Sequence, residues 1–141
     1  MENELKIKVY SFTLDCTDPR ALANFYAKLL KWEIAFSDEN WACVGAPGTK
    51  QGAYPGILFQ RNPEYKPPVW PEESDAQQQM AHIDLAVNDL EKAVEYAIQC
   101  GATTAKDQFS SDWTVMLDPA GHPFCLCNMK SVIESPDFAL K

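Results

Sequence analysis

Positive charge is scarce in this chain. Its 141 residues include 12 Lys and Arg against 20 Asp and Glu, which gives a formal net charge of −8. No segment gathers Lys and Arg into a cluster, and the phosphate backbone of a nucleic acid is bound mainly through such clusters. We therefore expect no nucleic-acid partner.

Long apolar runs are absent as well. No run approaches the roughly 20 apolar residues that a membrane-spanning helix needs, so we expect no membrane partner. Residues 1–10 begin acidic and lack the apolar stretch that is typical of a signal peptide. Together these features predict a cytoplasmic protein.

Paired cysteine motifs are missing too, because no two cysteines are spaced as CxxC. This absence removes the support for a zinc-finger or thioredoxin-like reading. In a reducing cytoplasm we expect free thiols, most of them acting as small buried apolar groups. The chain has five cysteines, at positions Cys16, Cys43, Cys100, Cys125 and Cys127.

What the sequence does contain is one pattern used twice. Residues 12–32 and 83–102 each combine a short alternating apolar run, an acidic helix start and an amphipathic stretch. Asp18 and Asp89 occupy equivalent positions, 71 residues apart. Two copies cannot stack into a solenoid array. The repeat therefore predicts two similar halves of one domain, with the binding site where the halves meet.

The first half predicts a strand, a helix and then two or three short strands. Alternation puts the polar residues Ser11, Thr13 and Asp15 on one face of the first strand. Asp18 followed by Pro19 is a typical helix start. The helix then carries an apolar stripe: Leu22, Phe25, Tyr26, Leu29 and Leu30. The strand candidates are residues 7–16, 41–47 and 56–60.

Residues 61–80 interrupt this pattern with four of the ten prolines. No regular element tolerates that density of proline, so the segment is predicted to be a linker. Tyr65, Val69 and Trp70 could pack on the domain or on a second subunit. The alternative is a plain connector with an anchoring aromatic residue.

The second half predicts the same order of elements. Asn88 followed by Glu91 resembles a capping box, and Gly101 is a good helix C-cap. Residues 118–121 fit a tight turn that joins the last two strands as a hairpin. Residues 130–141 show no pattern and are expected to form a surface tail. The strand candidates are residues 81–87, 103–109, 113–117 and 124–129.

Four segments, taken in this order, resemble the vicinal oxygen chelate superfamily of glyoxalases, bleomycin-resistance proteins and extradiol dioxygenases. They are LDCTDPRALANFYAKLLKW, GILFQR, HIDLAVNDLEKAVEYAIQCGA and DPAGHPFCLC. The resemblance covers residues 7–129 and implies a single α+β domain over residues 1–141. Its two tandem βαβββ modules, at about 7–60 and 81–129, would have curled mixed sheets that form a shared cup, with helices outside. It also implies a homodimer.

The resemblance further implies where a divalent metal would bind in a catalytic member. The usual ligands are His or Gln on the first strand of a half and Glu on its last strand. In this chain those four positions hold Ser11, Gln60, His82 and Cys125, so only His82 keeps its usual ligand type. Such a set suits a hard octahedral cation poorly. We therefore expect no metal cofactor, and if one is bound its ligands would be His82, Gln60 and Cys125.

Without a metal, the cup would be a binding site for a small molecule. Two alternatives remain open for individual residues. Trp41 and Trp113 line the cup or pack in the core, and Cys125 with His82 either forms an activated thiol pair or simply packs. His122, in a turn, is expected to be exposed. The predicted ligand-binding residues are Ser11, Thr13, Asp15, Gln60, His82, Asp84, Cys125, Trp41 and Trp113.

The sequence thus favours a glyoxalase-like protein that binds a small molecule between its modules without the conventional metal site. The alternative is a metal-dependent lyase or isomerase that acts on a substrate with vicinal oxygens. Because the usual ligands are replaced at three positions, the sequence leaves open whether the protein is an enzyme. A structural or regulatory partner protein is a third possibility, which the proline-rich linker and the acidic composition allow without favouring it.

Overall fold

Each half of the chain folds into a strand, a helix and three further strands. The computed structural model describes residues 4–48 and 55–135. It contains two mixed sheets of four strands each, which confirms the α+β class and the tandem βαβββ order. The chain divides into two compact units, Met1–Tyr65 and Lys66–Lys141, which we call the N-terminal unit and the C-terminal unit. The division falls inside the predicted linker.

The N-terminal unit contains one helix and one sheet. Strand β1 pairs in parallel with β4, and β4, β3 and β2 pair antiparallel in that order. A β-bulge interrupts the pairing of β2 with β3. The elements are β1 (Ser11–Cys16), α1 (Pro19–Leu30), β2 (Glu33–Ser37), β3 (Trp41–Gly45) and β4 (Gly56–Arg61).

Strand β1 is shorter than the pattern predicted. Residues 7–10 continue the alternation but lie outside the strand. The reason is that β4, the hydrogen-bonding partner of β1, begins with Gly56 opposite Ser11. Alternation shows that a segment can form a strand, but a strand also needs a partner of the same length.

Helix α1 begins and packs as its sequence predicts. The Asp18 carboxylate caps it by accepting a hydrogen bond from the Ala21 backbone N–H at 3.1 Å. Leu22, Phe25 and Tyr26 are buried. The Tyr26 ring stacks on Phe59 of β4 at 5.6 Å between centroids, so α1 covers the face of the sheet that carries Phe59. This contact anchors the core of the N-terminal unit.

The C-terminal unit repeats the arrangement. Strand β5 pairs in parallel with β8, and β8, β7 and β6 pair antiparallel in that order. The strand predicted over residues 103–109 shrinks to the two residues of β6. The elements are β5 (Ile83–Val87), α2 (Leu90–Cys100), β6 (Thr103–Thr104), β7 (Trp113–Leu117), β8 (Pro123–Asn128) and α3 (Lys130–Ile133).

The start of α2 corrects one sequence prediction. The N-cap is Asp89, whose carboxylate accepts a hydrogen bond from the Lys92 backbone N–H at 3.1 Å, and not Asn88. Asp89 is therefore the true counterpart of Asp18, as the internal repeat suggested. Gly101 closes the helix as predicted, with a positive φ of 122° and its N–H bonded to the Ala97 carbonyl oxygen.

The predicted tail is also corrected in part, because residues 130–133 form the short helix α3. Residues 136–141 lie outside the described part of the chain. The three helices have 12, 11 and 4 residues. Within residues 4–48 and 55–135, none is both long and apolar enough to cross a lipid bilayer.

The proline-rich linker packs on the C-terminal unit instead of running free. Trp70 makes an edge-on ring contact with Phe109 at 6.3 Å between centroids. The Val69 N–H donates to the Gln77 carbonyl oxygen at 2.8 Å. Pro67 lies against Gly121, so close that a Cβ on Gly121 would sit 2.8 Å from the Pro67 Cβ. Of the alternatives left by the sequence, packing on the domain is the one observed.

Candidate functional site

The two sheets each have a face that points away from the buried core residues, which we call the open face. In the N-terminal sheet it carries Ser11, Thr13 and Asp15, since Phe59 and its neighbours fill the α1 side. In the C-terminal sheet, Phe124 and Leu126 of β8 are buried on one side. The alternate residues of β8 and their partners form the other side, which is the open face.

His82 and Asp84 form the polar centre of the C-terminal open face. His82 directly precedes β5 and Asp84 is its second residue, so alternation turns both side chains to the same side. The His82 Nε2 atom lies 3.0 Å from Asp84 Oδ1. The two side chains are 40% and 61% exposed. The pair is therefore held in place by a hydrogen bond but remains accessible from solvent.

Cys125 joins this pair from the neighbouring strand. It is paired directly with Asp84 in the parallel β5–β8 ladder. One ligand atom from each of His82, Asp84 and Cys125 lies within 4.8 Å of the other two. We call these three residues the His–Asp–Cys cluster. Its members all belong to the C-terminal unit.

The cluster does not activate the thiol. Burial, followed by the negative charge of Asp84 and its hydrogen bond from the thiol, raises the pKa of Cys125 to about 11. Burial and the charge of Asp84 also raise the pKa of Cys127. Both thiols are protonated at neutral pH. The hypothesis of an activated Cys125–His82 pair is thus not supported, because Asp84 opposes the thiolate that His82 would stabilise.

The N-terminal open face has a different character. Asp15 lies opposite Gln60 in the β1–β4 ladder, and its carboxylate accepts a hydrogen bond from the Asn62 side-chain amide at 3.3 Å. Asn62 was not predicted as a site residue, because it lies in the linker segment just beyond β4. The sequence signal that could have found it is its position two residues after Gln60.

The two tryptophans that the sequence left between a pocket and the core are on the open faces. Trp41 is paired with Gln60, and Trp113 is paired with Cys127. They are 39% and 40% exposed. The core interpretation is wrong for both, because each lies on the side of its sheet away from the buried core residues.

The structure brings together only part of the predicted metal set. His82 and Cys125 are neighbours in the C-terminal unit, and Gln60 belongs to the N-terminal unit. Asp84 takes the third place beside His82 and Cys125. Cys127, which the sequence did not single out as a site residue, shares their open face. The shared cup between the modules stays a prediction.

The donor set decides which metal these residues suit. Hard cations such as Mg²⁺ and Ca²⁺ prefer six or more oxygen ligands. The His–Asp–Cys cluster offers one imidazole nitrogen, one carboxylate and one thiol, so it fits the octahedral metal of the related enzymes poorly. Sulfur, nitrogen and a single carboxylate are instead a ligand set that suits zinc-like metals.

A second His–Asp pair lies in the turn between β7 and β8. His122 Nδ1 is 2.8 Å from Asp118 Oδ2, and the side chains are 15% and 0% exposed. The same carboxylate accepts hydrogen bonds from the backbone N–H groups of Ala120 and His122. The expectation that His122 is exposed was wrong, because a buried carboxylate needs several donors and the ring supplies one.

A cavity of about 650 Å³ lies beside the start of α2. It does not coincide with the cluster, because Thr114 in its lining belongs to the opposite side of β7 from Trp113 and Val115. Asp89, Glu91 and Glu95 contribute three carboxylates to its wall. The chemistry-bearing side chains lie on the open face, so we place the candidate site there and not in this cavity.

Comparison with known proteins identifies the family. The model of the glyoxalase-like domain family matches residues 11–127. The chain belongs to this glyoxalase-like family. It is therefore a member of the vicinal oxygen chelate superfamily, as the sequence motifs predicted. No curated protein sequence matches the chain.

Solved structures show the same fold at low sequence identity. A hypothetical protein from S. aureus is 18% identical with a TM-score of 0.60, over 88% of this chain and 95% of that one. A glyoxalase/bleomycin resistance protein/dioxygenase family enzyme from Burkholderia phytofirmans is 17% identical with a TM-score of 0.62, over 85% of this chain and 97% of that one. A superfamily member from Sphaerobacter thermophilus is 20% identical with a TM-score of 0.56, over 86% and 97%. These similarities concern the fold alone.

Proposed function

We propose that this glyoxalase-like protein binds a small organic molecule on the open faces of its sheets, without the conventional metal site. The observation that carries the proposal is that each open face places a partly exposed tryptophan beside hydrogen-bonding side chains. Trp41 is paired with Gln60, and Trp113 shares its face with Asp84. An aromatic surface with a few polar groups is typical of small-molecule sites.

The charges on these faces favour a particular class of ligand. Asp15 and Asp84 are exposed carboxylates that accept hydrogen bonds. The chain carries a net charge of −8, so the long-range field attracts cations and repels anions. We therefore propose a ligand with a flat apolar body, which would cover a tryptophan ring, and a donor or positive group, which would reach a carboxylate.

A matched panel of compounds tests this proposal. The protein, treated with chelator, is screened by thermal shift and equilibrium dialysis against planar aromatic amines, the corresponding alcohols and the corresponding carboxylates. We expect the amines to raise Tm and the carboxylates to have no effect, because binding stabilises the folded state in proportion to occupancy. Equal or tighter binding of the carboxylates would overturn the proposed ligand class.

Tryptophan variants then test the face. Trp41→Phe and Trp113→Phe each remove the larger ring from one open face, and the variant that weakens binding identifies the face that is used. Trp32→Phe is the matched control, because Trp32 directly follows α1 and lies at the start of the β2 edge. If neither open-face variant changes the affinity for a compound that binds, the ligand binds elsewhere.

A metal-dependent glyoxalase-like lyase or isomerase is the second candidate. The observation in its favour is that His82 occupies the position of a usual metal ligand and has a carboxylate 3.0 Å away. Against it stands the thiol of Cys125 where such enzymes use Glu. Metal analysis of untagged protein, purified without chelator, separates the candidates. Near one equivalent of a bound divalent metal, with activity that His82→Ala abolishes, would place the enzyme first.

We also propose a homodimer, as the family resemblance implies. Leu5, Ile7 and Val9 are exposed apolar residues that precede β1, the first strand in the order of its sheet. Such a segment is a suitable surface for association. Sedimentation velocity tests this directly, and we expect a dimer that Ile7→Asp weakens. A monomer at all concentrations would contradict it.

A further inference from the structure

We propose that the His–Asp–Cys cluster binds a thiophilic divalent cation of the Zn²⁺ type, with His82, Asp84 and Cys125 as its ligands. This site is distinct from the metal site implied by the family resemblance. Asp84 is not at one of the usual ligand positions, and no residue of the N-terminal unit is needed. The inference also goes beyond the proposed small-molecule function, since it depends on different atoms.

The backbone determines which side chains can meet. His82 and Asp84 are two residues apart on one strand, so their side chains share a side. Cys125 is the direct partner of Asp84 on the adjacent strand β8. The three donors are thus presented from two hydrogen-bonded strands, and their positions do not depend on a loop.

The distances lie close to those of a bound cation. In a tetrahedral zinc site with bonds of roughly 2.0 to 2.3 Å, ligand atoms are about 3.3 to 3.8 Å apart. The three ligand atoms here are all within 4.8 Å of one another, and His82 Nε2 is 3.0 Å from Asp84 Oδ1. Small rotations of side chains are therefore sufficient for coordination. A fourth position stays open to water or a small ligand.

Charge and access also suit a divalent cation. The Asp84 carboxylate and the thiolate that Cys125 would provide together balance two positive charges. The proton of the Cys125 thiol leaves to solvent when the metal–sulfur bond forms, so binding releases a proton. His82 and Asp84 are 40% and 61% exposed, which leaves an entry path, and the net charge of −8 attracts cations.

Titration of the reduced, full-length protein with Co²⁺ tests the site. Co²⁺ takes the place of Zn²⁺ and has visible bands that report tetrahedral geometry, together with a near-ultraviolet band that reports a thiolate ligand. We expect saturation at one Co²⁺ per chain, both signals, release of a proton and displacement by Zn²⁺. Absence of saturable one-to-one binding would overturn the proposal.

Two serine variants identify the sulfur. Cys125→Ser removes the proposed ligand, and we expect loss of the thiolate band with affinity lowered by more than about tenfold. Cys127→Ser is the matched control, because it removes a thiol from the same strand face and leaves all three ligands intact. A thiolate band that persists in Cys125→Ser, or disappears in Cys127→Ser, would contradict the assignment.

His82→Ala serves as the second ligand variant, and its exposed position makes it unlikely to disturb folding, which circular dichroism checks. We expect it to weaken Co²⁺ binding while the fold is kept. Unchanged affinity would exclude His82 as a ligand. Because the compound panel is screened on chelated protein, failure of the metal site and failure of small-molecule binding are distinguishable.

Discussion

Asp84 and Cys125 lie directly opposite each other in the parallel ladder between β5 and β8, and the thiol donates a hydrogen bond to the carboxylate. This pairing places a negative charge beside a partly buried thiol. Burial and that charge together hold the thiol in its neutral form. The most conspicuous cysteine of the open face is therefore unreactive in the metal-free protein.

The first prediction concerns this pair. In metal-free protein, Asp84→Asn removes the charge that disfavours the Cys125 thiolate, so the pKa of Cys125 should fall from about 11 towards its ordinary value. Part of the increase should remain, because burial is its larger cause. The pH dependence of alkylation at Cys125, followed by peptide mass spectrometry, measures this shift.

Asp15→Asn is the control, since Asp15 is an exposed carboxylate of the N-terminal sheet. It should leave the alkylation profile of Cys125 unchanged. An identical profile in Asp84→Asn and the unsubstituted protein would show that Asp84 does not act on the thiol.

The second prediction concerns alkaline stability. The pKa of Cys125 is higher in the folded protein, at about 11, than its ordinary value of 9.0. The folded state therefore holds the proton more tightly, and stability present below about pH 9 should decline as pH rises through about 11. Urea unfolding of metal-free protein across this range measures the decline. Cys125→Ser should make it shallower, and a slope unchanged by that variant would contradict the assignment to Cys125.

The third prediction compares two neighbouring residues at the start of α2. Asp89→Ala removes the side-chain cap and should lower the free energy of unfolding by about 1 kcal/mol. Asn88→Ala should have little effect, because the cap bond comes from Asp89. Chemical denaturation measures both variants. A larger loss for Asn88→Ala would restore the capping box that the sequence suggested.

The fourth prediction concerns the buried turn carboxylate. Asp118→Ala removes the acceptor of two backbone N–H groups and of the His122 ring. We expect a loss of about 2 to 4 kcal/mol, because buried donors would be left without partners. Asp107→Ala, at an exposed position, is the matched control. Equal stability of the two variants would show that the turn does not depend on this carboxylate.

The fifth prediction concerns Gly121. Its φ is +90°, and an added Cβ would lie 2.8 Å from the Pro67 Cβ. Gly121→Ala should therefore lower stability by more than about 1 kcal/mol, through backbone strain and a clash with the linker. Gly45→Ala is the control, because a Cβ there meets nothing within 4 Å. A neutral Gly121→Ala would mean that the linker moves away from the turn without cost.

The sequence was most informative where local chemistry and periodicity act together. Asp18 with Pro19, the apolar stripe of α1 and the Gly101 C-cap were all predicted correctly, because each depends on residues within one or two turns. It was less informative about element lengths. Residues 7–10 alternate like a strand, yet the strand begins where its partner Gly56 begins.

The candidate site divides in the same way. Alternation alone determined that Ser11, Thr13 and Asp15 share one side of a strand, that His82 and Asp84 do, and that Cys125 and Cys127 do. The repeat and motifs determined the family. Only the tertiary structure decided that Asp84 stands opposite Cys125, that Asp118 buries against His122 and that the linker packs on Gly121. Those contacts join residues through strand register and turn geometry, and a linear pattern does not encode which partner a side chain meets across a sheet.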